Sequence, residues 1–325
     1  MSGKFRHLTA NSTLALVLTA LAVLTPFPCR AYNLTGHIEP AAIVSISLHG
    51  ATSPFETSTV TAADGSFRFA RLASGTYTLI VSTAARGSAL QTVELTPGTV
   101  DAKGRLDLVL KLDPERLEAD GGHATGATIS ATVLTLPVKA TKEYDEAQRC
   151  LSRRDSACAV SRLKSAVALA SRFTAAWNQL GTIAYQTGNY ADAEGYFRKA
   201  LDADPDAFEP LVNLGGVLLN LGRFGEGLDY NRRAVTRRPN DALANSQLGL
   251  SYFGQGDLTR AEEFLKTAVR LDPAHFSHPQ LTLAELYQRR GDHQAALEQL
   301  RDFLARHPDS PQASGVRERI VQLSR

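Results

Sequence analysis

Hydrophobic positions change their rhythm along the chain, and each rhythm predicts a different element. From Leu14 to Leu24 they are nearly continuous, LALVLTALAVL, behind Lys4, Arg6 and His7 and ahead of PFPCRA. From Asn33 to Leu112 they alternate in short pieces. AIVSISLHG, ending at Gly50, is rich in β-branched residues, and FETSTVTAADGSFRFARLASGTYTLIVST joins several more such pieces. Alternation puts Phe67 and Phe69 on one strand face and Tyr77, Leu79 and Val81 on another, while Asp64-Gly65 suits a tight turn between Val60 and Phe67. These pieces predict a small β-sandwich over 32–112. A polar, glycine-rich stretch then makes 113–138 a linker, whose distal part, Thr128 to Pro137, reads as one further strand.

Beyond Lys139 the spacing becomes helical and the pattern repeats. Leu180-Gly181, Leu214-Gly215 and Leu248-Gly249 fall 34 residues apart, and Leu283-Ala284 follows 35 after the third pair. The same register aligns Gly188, Gly222, Gly256 and Gly291, then Ala193, Gly227, Ala261 and Ala296, then Pro205, Pro239, Pro273 and Pro308. KEYDEAQRCL and SACAVSRLKSAVALASRF supply an earlier, partial copy, with Ala159, Leu163 and Ala166 at the packing positions. The expectation for 139–325 is about five helical hairpins and a last helix around Val316 to Leu323, stacked because one hairpin alone leaves an apolar face uncovered.

These positions resemble tetratricopeptide repeats. Trp177, Leu180, Gly181, Tyr190, Ala193, Phe197, Ala200 and Pro205 carry the full pattern, and later copies depart from it at Leu211, Asn245, Gln280, Gly227, Asn231 and Ala284. The run DGSFRFARLASGTYTLIV resembles the carboxypeptidase regulatory-like domain, a transthyretin-like or prealbumin-like sandwich, through Asp64-Gly65, Phe67, Phe69, Leu72, Gly75, Tyr77 and Leu79. That family is an accessory module, and its name implies no peptidase activity. Together the resemblances imply a multidomain chain: a small all-β prealbumin-like sandwich followed by an all-α tetratricopeptide-repeat solenoid, right-handed and grooved.

At 43% hydrophobic and 21% charged, the chain is apolar enough for two packed domains. The run from Leu14 to Leu24 is shorter than the roughly 20 residues of a membrane span, so 1–31 reads as a secretory signal cleaved near Ala31. Cys29 follows Pro26, Phe27 and Pro28 rather than the small residues that precede a lipidated cysteine. Loss of Lys4, Arg6 and Arg30 would take the net charge from +2 to −1, which disfavours a nucleic-acid surface. Cys150 and Cys158 then remain as a candidate disulfide in an oxidising compartment, with two buried apolar thiols as the alternative.

Candidate chemistry is sparse. There is no HExxH or GxSxG motif and no cysteine and histidine cluster, so neither a metal nor another cofactor is expected, and the chain reads as no enzyme. His37 and His49 read as surface residues, and His123, beside Gly121 and Gly122, is a weak ligand signal. HFSH, from His275 to His278, spans a repeat junction without a third ligand, so its histidines are expected to cap a helix or face solvent. Trp177 and the repeat glycines read as packing residues.

The repeat resemblance implies that first helices line the inner face, and family positions select Asn178, Thr182, Tyr185, Val212, Gly216, Leu219, Ser246, Leu250, Phe253, Leu281, Glu285 and Gln288. The set is apolar from Leu219 to Phe253, which favours an extended peptide or a protein partner over a highly charged ligand. Thr182, Gly216, Leu250 and Glu285 stand where a carboxylate-binding subtype would place its asparagine, so that subtype is not expected. Arg232, Arg233, Arg237 and Arg238 read as a solvated outer face. The leading function is a non-catalytic protein-interaction scaffold of the bacterial cell envelope, periplasmic or secreted. The alternatives are carbohydrate or envelope binding through the β-sandwich, and an uncharacterised hydrolase.

Overall fold

A computed structural model describes residues 31–83, 87–111 and 136–325. The signal segment before Ala31, Cys29, His123 and most of the further strand expected before Pro137 lie outside the described residues.

The first unit is a β-sandwich of β1 (Tyr32–Glu39), β2 (Ser45–Gly50), β3 (Glu56–Val60), β4 (Ser66–Leu72), β5 (Gly75–Thr83), β6 (Gly87–Leu95) and β7 (Arg105–Lys111). One sheet runs β4-β1-β7 and the other β3-β2-β5-β6. Strand alternation sends Leu34, Ile46, Leu48, Leu79 and Leu95 fully inside, with Phe67, Phe69 and Tyr77 closing the core. The Asp64-Gly65 turn forms as its residues dictate: Asp64 Oδ1 accepts from Ser66 N at 2.9 Å, and Gly65 takes φ 79°. Tyr77 is buried, and its hydroxyl donates to Ala73 O at 2.8 Å.

The second unit contains α1 (Val138–Ser152), α2 (Ser156–Leu169), α3 (Thr174–Gln186), α4 (Tyr190–Ala203), α5 (Phe208–Asn220), α6 (Phe224–Arg237), α7 (Ala242–Gly254), α8 (Leu258–Leu271), α9 (Pro279–Arg289), α10 (His293–Arg306) and α11 (Ala313–Leu323). Successive helices pair into hairpins, and α11 packs on α10. In two of the hairpins a glycine on the first helix admits a large residue from the second. A Cβ on Gly181 would lie 2.5 Å from the Phe197 ring, and one on Gly249 would lie 2.7 Å from Leu265. Trp177 likewise packs: it stacks on Tyr196 at 5.9 Å, and its indole N–H donates to Ser171 O at 2.7 Å. Cys150 and Cys158 face each other across the α1-α2 turn with Cα atoms 5.8 Å apart and are joined as a disulfide.

Four turns inside hairpins use a left-handed glycine, Gly188, Gly222, Gly256 and Gly291. The equivalent position of the first hairpin, 34 residues before Gly188, is Arg154, held at φ 61°. A side chain there carries a backbone cost that glycine avoids, and what Arg154 touches explains its presence.

Candidate functional site

Arg154 reaches out of the repeats into the β-sandwich. Its guanidinium donates to the Tyr77 hydroxyl at 2.8 Å and lies 4.3 Å from the centre of the Phe55 ring. Further contacts follow along the solenoid. Gln186 Nε2 donates to Gly50 O at 2.9 Å, Asp272 Oδ2 accepts from Thr92 N at 2.9 Å, and Asp309 Oδ2 accepts from Gly98 N at 2.6 Å. Thr92 lies on β6, an edge strand, so Asp272 satisfies an amide that its own sheet leaves over. The contact is diagonal. It runs from the α1-α2 turn at Arg154 and the end of α3 at Gln186 to the loop before α9 at Asp272 and the segment after α10 at Asp309.

Between the two units lies a partly open cavity of about 760 Å³. Ile80 and Leu90 line its β side, and Val212, Leu243 and Phe276 its helical side, with Asp272 among the polar groups. Thr182 and Val212, both selected by repeat position, therefore face the protein's own β-sandwich.

The remaining candidates divide by burial. Asn178 Oδ1 accepts from Asn213 Nδ2 at 3.0 Å, and Thr182 donates to Asn178 O at 3.0 Å. Ser246 and Val212, both selected as inner-face residues, are buried, and the Ser246 hydroxyl pairs with Ser277 Oγ at 2.7 Å. Gly216 is covered too, since a Cβ there would lie 2.5 Å from Gln247 Nε2. Leu281 packs into the cluster of Leu300, Phe303 and Val316.

Tyr185, Leu219, Leu250, Phe253, Glu285 and Gln288 are half-buried and stand outside the cavity lining. Asn220 Nδ2 donates to the Tyr185 hydroxyl at 2.8 Å, and burial raises that hydroxyl's pKa. The Arg289 guanidinium lies 4.2 Å from the centre of the Phe253 ring and pairs with Glu285 at 2.6 Å. Gln288 Oε1 accepts from Arg319 Nε at 3.1 Å.

Of the outer arginines, Arg232 and Arg233 are exposed and Arg237 and Arg238 half-buried, and each meets a carboxylate. Arg233 and Arg237 both pair with Asp206, and Arg238 pairs with Glu209 at 3.0 Å while covering the Phe208 ring at 4.1 Å. Arg232 approaches only Asp229, at 3.7 Å. In the β-sandwich His37 and His49 lie beside Glu39 and Glu56.

The HFSH histidines divide, His275 inside the protein and His278 at a helix start. His275 is buried, with Nδ1 at 2.7 Å from Ser277 Oγ. His278 is half-buried and is the N-cap residue of α9, with left-handed backbone angles of φ 50° and ψ 56°. Burial pushes His275 down to about 4 against the pull of Asp272, and burial with the neighbouring His307 pushes His278 down to about 4 as well. Arg154, Asp272, Glu94 and His307 belong to no local sequence pattern, because their partners are distant in the chain. Only Arg154 left a signal, an arginine where the repeat calls for glycine.

A family model for the carboxypeptidase regulatory-like domain matches residues 34–111, and tetratricopeptide-repeat models match 174–207, 212–276 and 252–320. The cell division cycle protein 16 homolog of Homo sapiens is 32% identical over 103 residues, which are 29% of this chain and 17% of that protein. Photosystem I assembly protein Ycf3 of Acaryochloris marina (strain MBIC 11017) is 32% identical over 117 residues, 31% of this chain and 70% of that protein. Among solved structures, MamA 41-end from Desulfovibrio magneticus RS-1 aligns at 27% identity with a TM-score of 0.48, over 54% of this chain and 99% of that chain. YrrB, described as a tetratricopeptide-repeat protein with an unusual peptide-binding site, aligns at 25% identity with a TM-score of 0.47, over 55% of this chain and 92% of that one.

Proposed function

From a chain that belongs to the tetratricopeptide-repeat family and carries a carboxypeptidase regulatory-like domain ahead of its repeats, we propose a non-catalytic scaffold that holds an extended segment of a partner protein. The seat is the part of the inner face beyond the domain contact, from Tyr185 and Leu219 to Phe253 and Gln288. The observation that carries this reading is the split of the first-helix residues, some turned to the protein's own β-sandwich and the rest outside that cavity. Leu219 and Phe253 supply apolar area for desolvation, while Asn220 and Gln288 supply amides to align a peptide backbone.

The test is a photo-crosslinker at Leu219 in the full chain, followed by sequencing of the trapped segment and affinity measurement with that segment. Phe253→Asp and Leu219→Asp are expected to weaken binding at least tenfold, about 1.4 kcal/mol, with helix content unchanged. Unchanged affinity in both folded variants, with the segment mapping wholly to the β-sandwich, would sink the proposal.

The cell envelope is the proposed location. The apolar run from Leu14 to Leu24 behind Lys4 and Arg6 has the order of an export signal, and the Cys150-Cys158 disulfide suits an oxidising compartment. Expression with fractionation should recover a soluble envelope form whose N-terminus lies near Tyr32. Recovery only from the cytoplasm, uncleaved, would contradict this location.

A further inference from the structure

Where β6 meets the last repeat, three side chains from distant parts of the chain converge. Glu94 comes from the β-sandwich, His278 from the start of α9, and His307 from the residue after α10. One donor atom of each lies within 4.8 Å of the others. The His278 and His307 rings are 4.5 Å apart, centre to centre, and His307 Nδ1 is 2.5 Å from Glu94 Oε1.

His307 is the anomalous member. It has no solvent exposure, and Nε2 has no hydrogen-bond partner, so Glu94 satisfies only one of its two nitrogens. The two nitrogens of an imidazole diverge, so Nδ1 is the one turned toward Glu94 and open to a shared ion once that contact widens, while Nε2 stays outside the cluster. Phe303 packs on both rings, at 5.1 Å from each, which limits how far they can turn away from one another. The carboxylate comes from a sheet edge and the imidazoles from a helical repeat, so the set exists only while the two domains are docked.

We propose that Glu94, His278 and His307 form a binding site for a divalent transition-metal ion of the zinc class at the junction of the two domains. Two imidazoles and a carboxylate are a ligand set that such ions accept, with water in a remaining position. Ligands of one tetrahedral zinc sit about 3.3 Å apart at metal–nitrogen distances of about 2.0–2.1 Å. Binding therefore requires Glu94 and His307 to separate slightly while His278 closes in. Bound metal ties β6 to α9 and α10 and holds the β-sandwich across the inner face.

The test uses untagged, full-length protein stripped with chelator and titrated with Zn2+ by calorimetry at neutral pH, with thermal melts alongside. One site of micromolar or tighter affinity and a raised Tm are expected. His278→Ala and the near-isosteric Glu94→Gln should each weaken that site at least tenfold and abolish the Tm shift. His278 is half-buried, so its variant tests the site without emptying the core position of His307. Absence of Zn2+ binding to the stripped protein, or binding whose affinity survives both substitutions, overturns the proposal.

Discussion

Asn231 occupies a packing position held by Phe197 in one repeat and Leu265 in another. It is fully buried, donates through Nδ2 to Ser251 Oγ at 3.0 Å, and leaves Oδ1 without a partner. Gly215 makes room for it, since a Cβ there would lie 1.8 Å from that oxygen. Gly249 already accommodates a leucine in the same arrangement, so Asn231→Leu removes an unpaired buried oxygen without demanding a new shape. The substitution should stabilise the protein by about 1 kcal/mol, read as a higher urea midpoint at unchanged m-value. A lower midpoint would mean that the bonds to Ser251 Oγ and to the Gln247 carbonyl outweigh the unpaired oxygen.

The contact between neighbouring repeats depends on Glu262 of α8. Its carboxylate takes hydrogen bonds from Lys266 Nζ at 2.6 Å and from the Tyr287 hydroxyl at 2.9 Å, and it pairs with Arg290 just past α9. Burial alone would raise its pKa, but the bonds from Lys266, Arg290 and Tyr287 outweigh it and hold the carboxyl at about 2, below the ordinary 4.5. A pKa lowered by folding contributes stability that is complete above about pH 4.5 and is lost as the pH falls towards 2. Solvent screening reduces the contribution to about 1 kcal/mol. Glu262→Gln should lower stability by that amount at pH 7 and flatten the fall between pH 4.5 and 2, measured by urea denaturation across that range. Parallel pH profiles for the variant and the parent would show that Glu262 is not the group responsible.

At the scale of the molecule, Arg154 trades local backbone comfort for domain contact. Arg154→Gly should relieve about 1 kcal/mol of left-handed backbone cost in the first hairpin and remove both the bond to Tyr77 and the cover over Phe55. The expected outcome is unchanged helical content by circular dichroism with a larger radius of gyration by small-angle scattering, as the β-sandwich loosens from the repeats. An unchanged radius would show that Gln186, Asp272, Asp309 and the His307–Glu94 pair suffice to hold it.

The repeat architecture was legible because its determinants are local and periodic: Leu180-Gly181 and its copies state which residues approach closely, and the glycines at 188, 222, 256 and 291 state where each hairpin turns. The β-sandwich was legible for the same reason, through two-residue alternation and the Asp64-Gly65 turn. Neither pattern carries information about how the two units meet. That contact rests on isolated side chains, Arg154 on Tyr77, Asp272 on the Thr92 amide and His307 on Glu94, whose partners lie 77, 180 and 213 residues away. Family positions likewise selected Val212 and Ser246 as groove residues because a repeat register specifies which way a helix face points. Only the tertiary structure decides what lies against that face, and here part of it is taken by the protein's own β-domain.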